Sequence, residues 1–339
     1  MKIAILDDYL GTIPTLDAFS KLEGHDVAVF TDHLRSEDEL AERLQAAEVL
    51  VLIRERTRLT EGLLERLEHL MLISQRGSYP HIDIETCSRL GILVCSNAKS
   101  PMPSYPTAEL TWALLLCALR RLPELWTSVK AGTWQSSMGS TLRGKCLGIY
   151  GYGRIGRVVA GYATAFGMRV QVLGSQASLL RAGADGFALA STREAFFGSS
   201  DVVSLHLRLS GNTREIVTAD DLALMKPSAL MINTSRAELI ERGALAAALK
   251  AGRPGFAAVD VYETEPVDME EPLLTLPNVI CTPHVGYVTV EEWEMQFSEI
   301  FDQINAFGAG APFNVVNASA LAHRPRRVEE STSAHGGPR

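Results

Sequence analysis

Positive charge is in short supply in this chain. Its 32 Lys and Arg stand against 40 Asp and Glu, a formal net charge of −8, so no basic face is expected for nucleic acid. Cysteine is sparse as well: Cys87, Cys95, Cys117, Cys146 and Cys281 are odd in number, widely spaced and lack any C-x-x-C pair. That pattern excludes a disulfide framework and a zinc site, and it fits reduced thiols in a cytoplasmic protein. Long apolar runs are missing. The longest, Leu110 to Leu119, is too short to span a bilayer and ends at Arg120-Arg121, so no membrane association is expected. The first residues, Met-Lys-Ile-Ala-Ile-Leu-Asp-Asp, turn acidic within seven positions and read as a strand instead of a signal peptide.

What remains is an ordinary globular composition, 46% hydrophobic and 21% charged, in 339 residues, a length that suits two domains. Residues 1–99 alternate strand and helix, with strands expected at Lys2–Leu6, Val27–Phe30, Val49–Ile53, Leu70–Ser74 and Ile92–Cys95. Between them lie helical patterns such as Ser36–Ala47, which Ser36 caps with Glu39 three residues on. This predicts a parallel sheet covered on both faces. The proline-dense stretch Asn97–Pro106 marks the domain boundary. An apolar helix follows from Thr107 to about Leu122, closed by Pro123, with so little polar face that burial between domains or subunits is expected. A second sheet of about six strands is predicted at Leu147–Tyr150, Arg169–Leu173, Val202–Leu205, Leu230–Asn233, Phe256–Val259 and Val279–Cys281. An amphipathic helix from Glu291 to about Phe307 is expected to return to the first domain. Residues 319–339 lack periodicity and read as a disordered tail.

No glycine fingerprint follows the first strand of the chain, where Asp7-Asp8-Tyr9 stands. It follows the first strand of the second domain: Gly151-Tyr152-Gly153-Arg154-Ile155-Gly156, then Val158, Val159, Tyr162, Ala163 and Phe166 at helical spacing. The first glycine permits the turn, the second lets a pyrophosphate approach the backbone, and the third brings helix and strand together. The helix N-terminus supplies N–H groups for phosphate.

Ligands of open α/β sheets bind beyond the carboxyl ends of the strands. Three titratable residues of the second domain stand there: Arg236 after Leu230–Asn233, Glu265 after Phe256–Val259, and His284 after Val279–Cys281. A guanidinium grips a carboxylate and polarises a carbonyl, and an imidazole delivers a proton near neutral pH. A carboxylate beside an imidazole orients the ring and favours its charged form. Together they describe hydride transfer to a 2-oxo acid.

At the motifs Gly151–Gly156, Asn233-Thr-Ser-Arg-Ala237, Asp260-Val-Tyr-Glu-Thr-Glu-Pro266 and Thr282-Pro-His284 the chain resembles the D-isomer-specific 2-hydroxyacid dehydrogenases, which include phosphoglycerate, glycerate/glyoxylate and D-lactate dehydrogenases and the glyoxylate/hydroxypyruvate reductases. The resemblance covers nearly all the chain to Asn317. It implies two doubly wound parallel-sheet domains: a flavodoxin-like substrate domain (1–99 plus 287–318) and a Rossmann dinucleotide-binding domain (100–286). It makes Arg236, Glu265 and His284 catalytic, with Arg236 holding substrate. It puts NAD or NADP against Tyr152–Gly156, Ser175, His206, Thr234 and Asp260, the last on the nicotinamide carboxamide. Gly77 and Ser78 would hold the substrate carboxylate. The family also implies a homodimer through the cofactor domains and domain closure over a small 2-oxo or 2-hydroxy acid. A nicotinamide-sensing interaction protein, as in related co-repressors, is the alternative.

Some motifs depart from the family. The first-domain loop reads Gly77-Ser-Tyr-Pro-His-Ile-Asp83 where Gly-x-Gly-x-Asp-Asn-Ile-Asp is common, so Tyr79, Pro80 and His81 alter the pocket. His81 either touches substrate or caps a helix. His206-Leu-Arg208 has arginine where the family has proline, leaving Arg208 at the surface or at the adenosine end. Arg54-Glu-Arg56-Thr57 is either solvated or turned towards the other domain. An NAD ribose calls for an acidic residue about 20 positions into the fingerprint. Here stand Gly174-Ser175-Gln176, with no carboxylate before Asp185; Ser175 could bond a 2′-phosphate, but no arginine stands beside the strand end and Arg181 lies some distance on. The balance falls on NADP.

Overall fold

A computed structural model of the chain describes residues 1–97 and 105–323. Most of the expected boundary stretch, 98–104, and most of the expected tail, 324–339, lie outside the described residues. The tail expected from residue 319 begins inside a 3-10 turn, Ala318–Ala322.

The chain falls into two units, Met1–Ser100 with Trp293–Arg339, and Pro101–Glu292. In the first, strands β1 (Lys2–Ile5), β2 (Asp26–Val29), β3 (Val49–Val51), β4 (Leu72–Arg76) and β5 (Leu93–Asn97) form a parallel sheet ordered β2-β1-β3-β4-β5. Strands buried on both faces read as unbroken apolar runs, and Val49, Leu50 and Val51 are fully buried. Ser36 does cap the helix Glu37–Leu44, accepting a bond from the Glu39 N–H. The long helix Val290–Gly308 belongs mainly to this unit, where it buries Trp293, Phe297, Ile300, Phe301 and Ile304. Its Glu294 carboxylate accepts from the Ala18 N–H, and Ser74 Oγ donates to Gln303 Oε1.

The second unit holds seven parallel strands: β6 (Cys146–Tyr150), β7 (Arg169–Leu173), β8 (Ala188–Leu189), β9 (Val202–Leu205), β10 (Leu230–Asn233), β11 (Phe256–Val259) and β12 (Val279–Cys281). Their order is β12-β11-β10-β9-β6-β7-β8, so the winding reverses between β6 and β9. Six of these strands match the expectation. The seventh, β8, is an exposed two-residue edge strand, too short to show a period.

The apolar helix runs from Tyr105 to Leu119 and buries Thr107, Ala108, Thr111, Trp112, Leu114, Leu115 and Leu119 within its own unit. Trp112 meets Tyr162 and Phe166 edge-on, with ring centroids 5.9 and 5.0 Å away, and Thr111 reaches β10 through Thr234. Arg121, at φ +53°, breaks the helix, and Pro123 lies in the first turn of the next one, Leu122–Lys130. Proline is tolerated there because the first N–H groups of a helix have no intrahelical acceptor.

The glycine turn separates by function when a methyl group is imagined at each position. A Cβ at Gly151, whose φ is +99°, would lie 2.6 Å from the His206 carbonyl oxygen, and one at Gly156 2.3 Å from the Gly151 oxygen. At Gly153 nothing lies within 4 Å, and the backbone there is extended. Gly156→Ala therefore forces helix and strand apart and is expected to cost about 1–3 kcal/mol, read as a lowered Tm. Gly153→Val is expected to fold with nearly unchanged Tm. Equal melting of the two variants would contradict this division.

Candidate active site

Neighbouring strands β10, β11 and β12 deliver three loops to the same carboxyl edge of the second sheet. From the β12 loop comes His284, at φ +53°, an uncommon conformation for a residue with a side chain. Its Nδ1 lies 2.6 Å from Glu265 Oε2, and both side chains are partly exposed. An ionised carboxylate only accepts, so Nδ1–H donates and Nε2 is left as the atom for proton exchange. The other oxygen, Glu265 Oε1, accepts from the Tyr262 N–H at 2.9 Å, so the glutamate is anchored to its own loop. The ring edge of His284 also meets Tyr287, centroids 5.7 Å apart.

Asp260 holds the histidine loop from below. Its Oδ1 accepts from Thr282 Oγ1 at 2.7 Å and from the Val285 N–H at 2.9 Å, and its Oδ2 accepts from the Gly286 N–H at 2.8 Å. Only 1% exposed, its carboxyl is pushed up by burial against the pull of those bonds. Tyr262 adds a bond from its hydroxyl to the Thr282 carbonyl at 3.0 Å. Arg236 leaves the next strand end. Its loop is pinned by Asn233, whose amide donates to the Arg236 carbonyl and whose Oδ1 accepts from Ser235 N–H. Its own Nη1 donates to the Ser235 carbonyl at 2.7 Å.

Two expected cofactor contacts turn their side chains inward. Thr234 is buried, its hydroxyl 2.7 Å from Thr111 Oγ1. The His206 ring bonds Ser204 Oγ at 2.9 Å through Nε2, and burial holds it down at about 4, neutral. The backbone of His206 meets the glycine turn through the carbonyl that excludes a side chain at Gly151. Arg208 is exposed.

On the adenosine side, Ser175 is exposed and caps the helix Gln176–Ala184. Sequence distance hid two further features. Arg181 folds back along that helix and donates to the Tyr152 carbonyl from Nη2 at 3.1 Å and Nε at 3.3 Å. Tyr152 buries its ring and gives its hydroxyl to Asp185, which also pairs with Arg157 at 3.0 Å.

In the first unit, Gly77 has φ +108°, and a Cβ there would lie 2.9 Å from Arg54 Nη1. Its N–H donates to the Asn97 carbonyl at 3.2 Å. Arg56 is partly exposed. It donates to the Asp7 carbonyl at 2.6 Å and stacks on Tyr9. His81 is not the cap of the next helix, because Asp83 accepts the Thr86 N–H there. Instead His81 is 8% exposed with neither ring nitrogen hydrogen-bonded.

Helices on both faces, a reversal point in the seven-stranded sheet, an open glycine turn at one strand end and an imidazole–carboxylate pair at others define a dinucleotide-dependent oxidoreductase of the doubly wound class. The family model "D-isomer specific 2-hydroxyacid dehydrogenase, NAD binding domain" matches residues 112–286, and the chain belongs to that family. It is 37% identical over 83% of its length to a D-3-phosphoglycerate dehydrogenase of Methanocaldococcus jannaschii, of which it spans about half (54%). A glyoxylate reductase of Aeropyrum pernix is 35% identical over 77% of this chain and 81% of its own. A solved structure of a Vibrio cholerae phosphoglycerate oxidoreductase superposes with TM-score 0.88 at 48% identity, covering 92% of this chain and all of that one (100%). Among the described residues no helix is long and apolar enough to cross a membrane.

Burial pushes the His81 imidazole down to about 4. In the unfolded chain it titrates near 6.5, so between those values the unfolded state binds more protons and stability falls as pH drops. The loss contributed by His81 is up to about 3 kcal/mol across the window. His81→Phe is expected to flatten the decline of Tm between about pH 6.5 and pH 4. An unaltered acid limb in a folded variant would refute this.

Proposed function

We propose that this chain reduces a small 2-oxo acid to the D-2-hydroxy acid, or runs the reverse oxidation, with His284 and Glu265 as acid/base pair and Arg236 as the substrate-carboxylate and carbonyl contact. The observation that carries the proposal is the 2.6 Å bond between His284 Nδ1 and Glu265 Oε2 on a loop fixed by Asp260. The open space over Gly153, beside a helix N-terminus, fits a pyrophosphate, and the bound NAD or NADP supplies or accepts the hydride at C2. In reduction, His284 Nε2 gives a proton to the substrate oxygen as that oxygen gains negative charge. Glu265 keeps the ring in one tautomer and stabilises its charged form. Arg236 offers a planar pair of donors to the carboxylate and draws electron density from the carbonyl. Asp260 positions the loop, and its Oδ2 retains a lone pair for the nicotinamide carboxamide. At the adenosine end the missing carboxylate and the hydroxyl of Ser175 favour NADP.

His284→Ala is expected to lose turnover by about 10²-fold or more while NADH or NADPH binding, followed by nucleotide fluorescence, stays intact. Glu265→Gln is expected to lose a comparable factor, since an amide no longer fixes the tautomer. Gly153→Val is expected to lose cofactor binding. Turnover in His284→Ala within about tenfold of wild type would remove the histidine from the chemistry.

A homodimer through the dinucleotide-binding unit is part of the same reading. The helix Leu122–Lys130 buries no residue, and Trp126, Trp134 and Met138 are 65%, 79% and 93% exposed, an apolar surface of the kind that subunit interfaces cover. Trp126→Glu with Trp134→Glu is expected to sediment as monomer where wild type sediments as dimer; a monomeric wild type would end this part of the proposal.

A further inference from the structure

The adenosine end of the cofactor site holds more than the strand end shows. A Cβ at Gly174 would lie 3.1 Å from Ser178 Cβ and 3.7 Å from Gly151 Cα, so the end of β7, the first turn of its helix and the glycine turn meet in van der Waals range. Arg181 lies one and a half turns further along that helix, and its guanidinium reaches back into the same corner. Besides its two bonds to the Tyr152 carbonyl, Nη2 stands 3.4 Å from Ser178 Oγ, which is 3.5 Å from Ser175 Oγ. One cation and two hydroxyls thus line the place where a dinucleotide fold carries its ribose 2′-oxygen.

The charge at this corner is uncompensated. Among the described residues Arg181 forms no ion pair; its acceptors are a neutral carbonyl and a hydroxyl. The first carboxylate after the strand, Asp185, is taken by Arg157 and by the Tyr152 hydroxyl. A phosphate dianion offers Arg181 a charge-assisted, bidentate acceptor in place of one carbonyl oxygen. A bare 2′-hydroxyl offers no such gain, and no carboxylate stands at the strand end to accept a bond from it.

We propose that Arg181, with Ser175 and Ser178, binds the 2′-phosphate of NADP(H) and sets the cofactor preference of this enzyme. The inference rests on the dinucleotide-binding reading given above. The competing role for Arg181 is to buttress the glycine turn through the Tyr152 carbonyl, which would support both cofactors equally. The two roles separate when nucleotide fragments that carry no nicotinamide are titrated calorimetrically against the full chain. Wild type is expected to bind 2′,5′-ADP more tightly than 5′-AMP. Arg181→Ala is expected to lose about 10- to 100-fold in affinity for 2′,5′-ADP and less than about threefold for 5′-AMP. Arg181→Lys, which keeps the charge without the planar fork, should recover part of the loss. Arg181 is exposed, so folding of the variants is not at stake. Equal weakening of both nucleotides by Arg181→Ala, or no change in either, would overturn the proposal and leave dinucleotide binding standing. A wild type that binds neither fragment, nor NADH, would end the cofactor reading and this inference with it.

Discussion

The buried carboxylate of Asp260 is the constraint on which the His284 loop depends. It sits where β11 ends, almost without solvent, and accepts three bonds from the loop that follows β12. Burying an ionised carboxylate costs several kcal/mol unless its lone pairs are occupied, and here donors from the next loop occupy them. Those bonds stitch two strand ends together. They hold the backbone on either side of His284, which therefore remains in a conformation few side-chain-bearing residues adopt. With the loop fixed, the imidazole meets Glu265 without further adjustment, and the glutamate is itself held by the Tyr262 N–H. The imidazole–carboxylate pair stands on a loop that the aspartate holds in place.

At the other end of the sheet the strategy is reversed. Around β6 the site is defined by what is missing. Gly151 and Gly156 lack side chains because backbone oxygens fill the space, whereas the space over Gly153 is open. Such a turn binds through N–H groups and shape, so it tolerates no new side chain yet supplies no chemistry. At β11 and β12 the strand ends carry long polar side chains instead, and those of Glu265 and His284 meet. Parallel strands in one twisted sheet make this division possible, since all their carboxyl ends share an edge while each loop remains free to vary.

Much of this was legible in the sequence. Buried parallel strands announce themselves as short runs of Val, Ile and Leu, and eleven expected strands find counterparts in the two sheets. The order strand, glycines, helix located the turn, and the positions just past strand ends located Arg236, Glu265 and His284. What the sequence hid has a common cause: a strand end tells where a residue stands, not which way its side chain turns. Thr234 and His206 stand at the expected ends but direct their polar groups into the interior, towards Thr111 and Ser204. Gly77 occupies its expected loop, and its N–H donates to the Asn97 carbonyl. The break at Arg121 was also invisible, because the composition of Thr107 to Leu122 is uniformly helical and only a left-handed residue divides it.

Arg181 shows the same limit from the opposite side. Measured along the chain it stands well past the strand end, beyond the position where spacing rules look for a ribose contact. An α-helix rises only about 1.5 Å per residue, so five residues of helix carry it less than 8 Å along the axis. A side chain on the face turned to the glycine turn spans much of that distance, because helical side chains tilt towards the N-terminus. The turn geometry therefore converts a gap in sequence into a contact. The same geometry explains why the hydroxyls of Ser175 and Ser178, three residues apart, lie side by side with it. Spacing rules written for residues that directly follow a strand miss a cation delivered this way, and the charge of this corner is set by the helix instead of the strand.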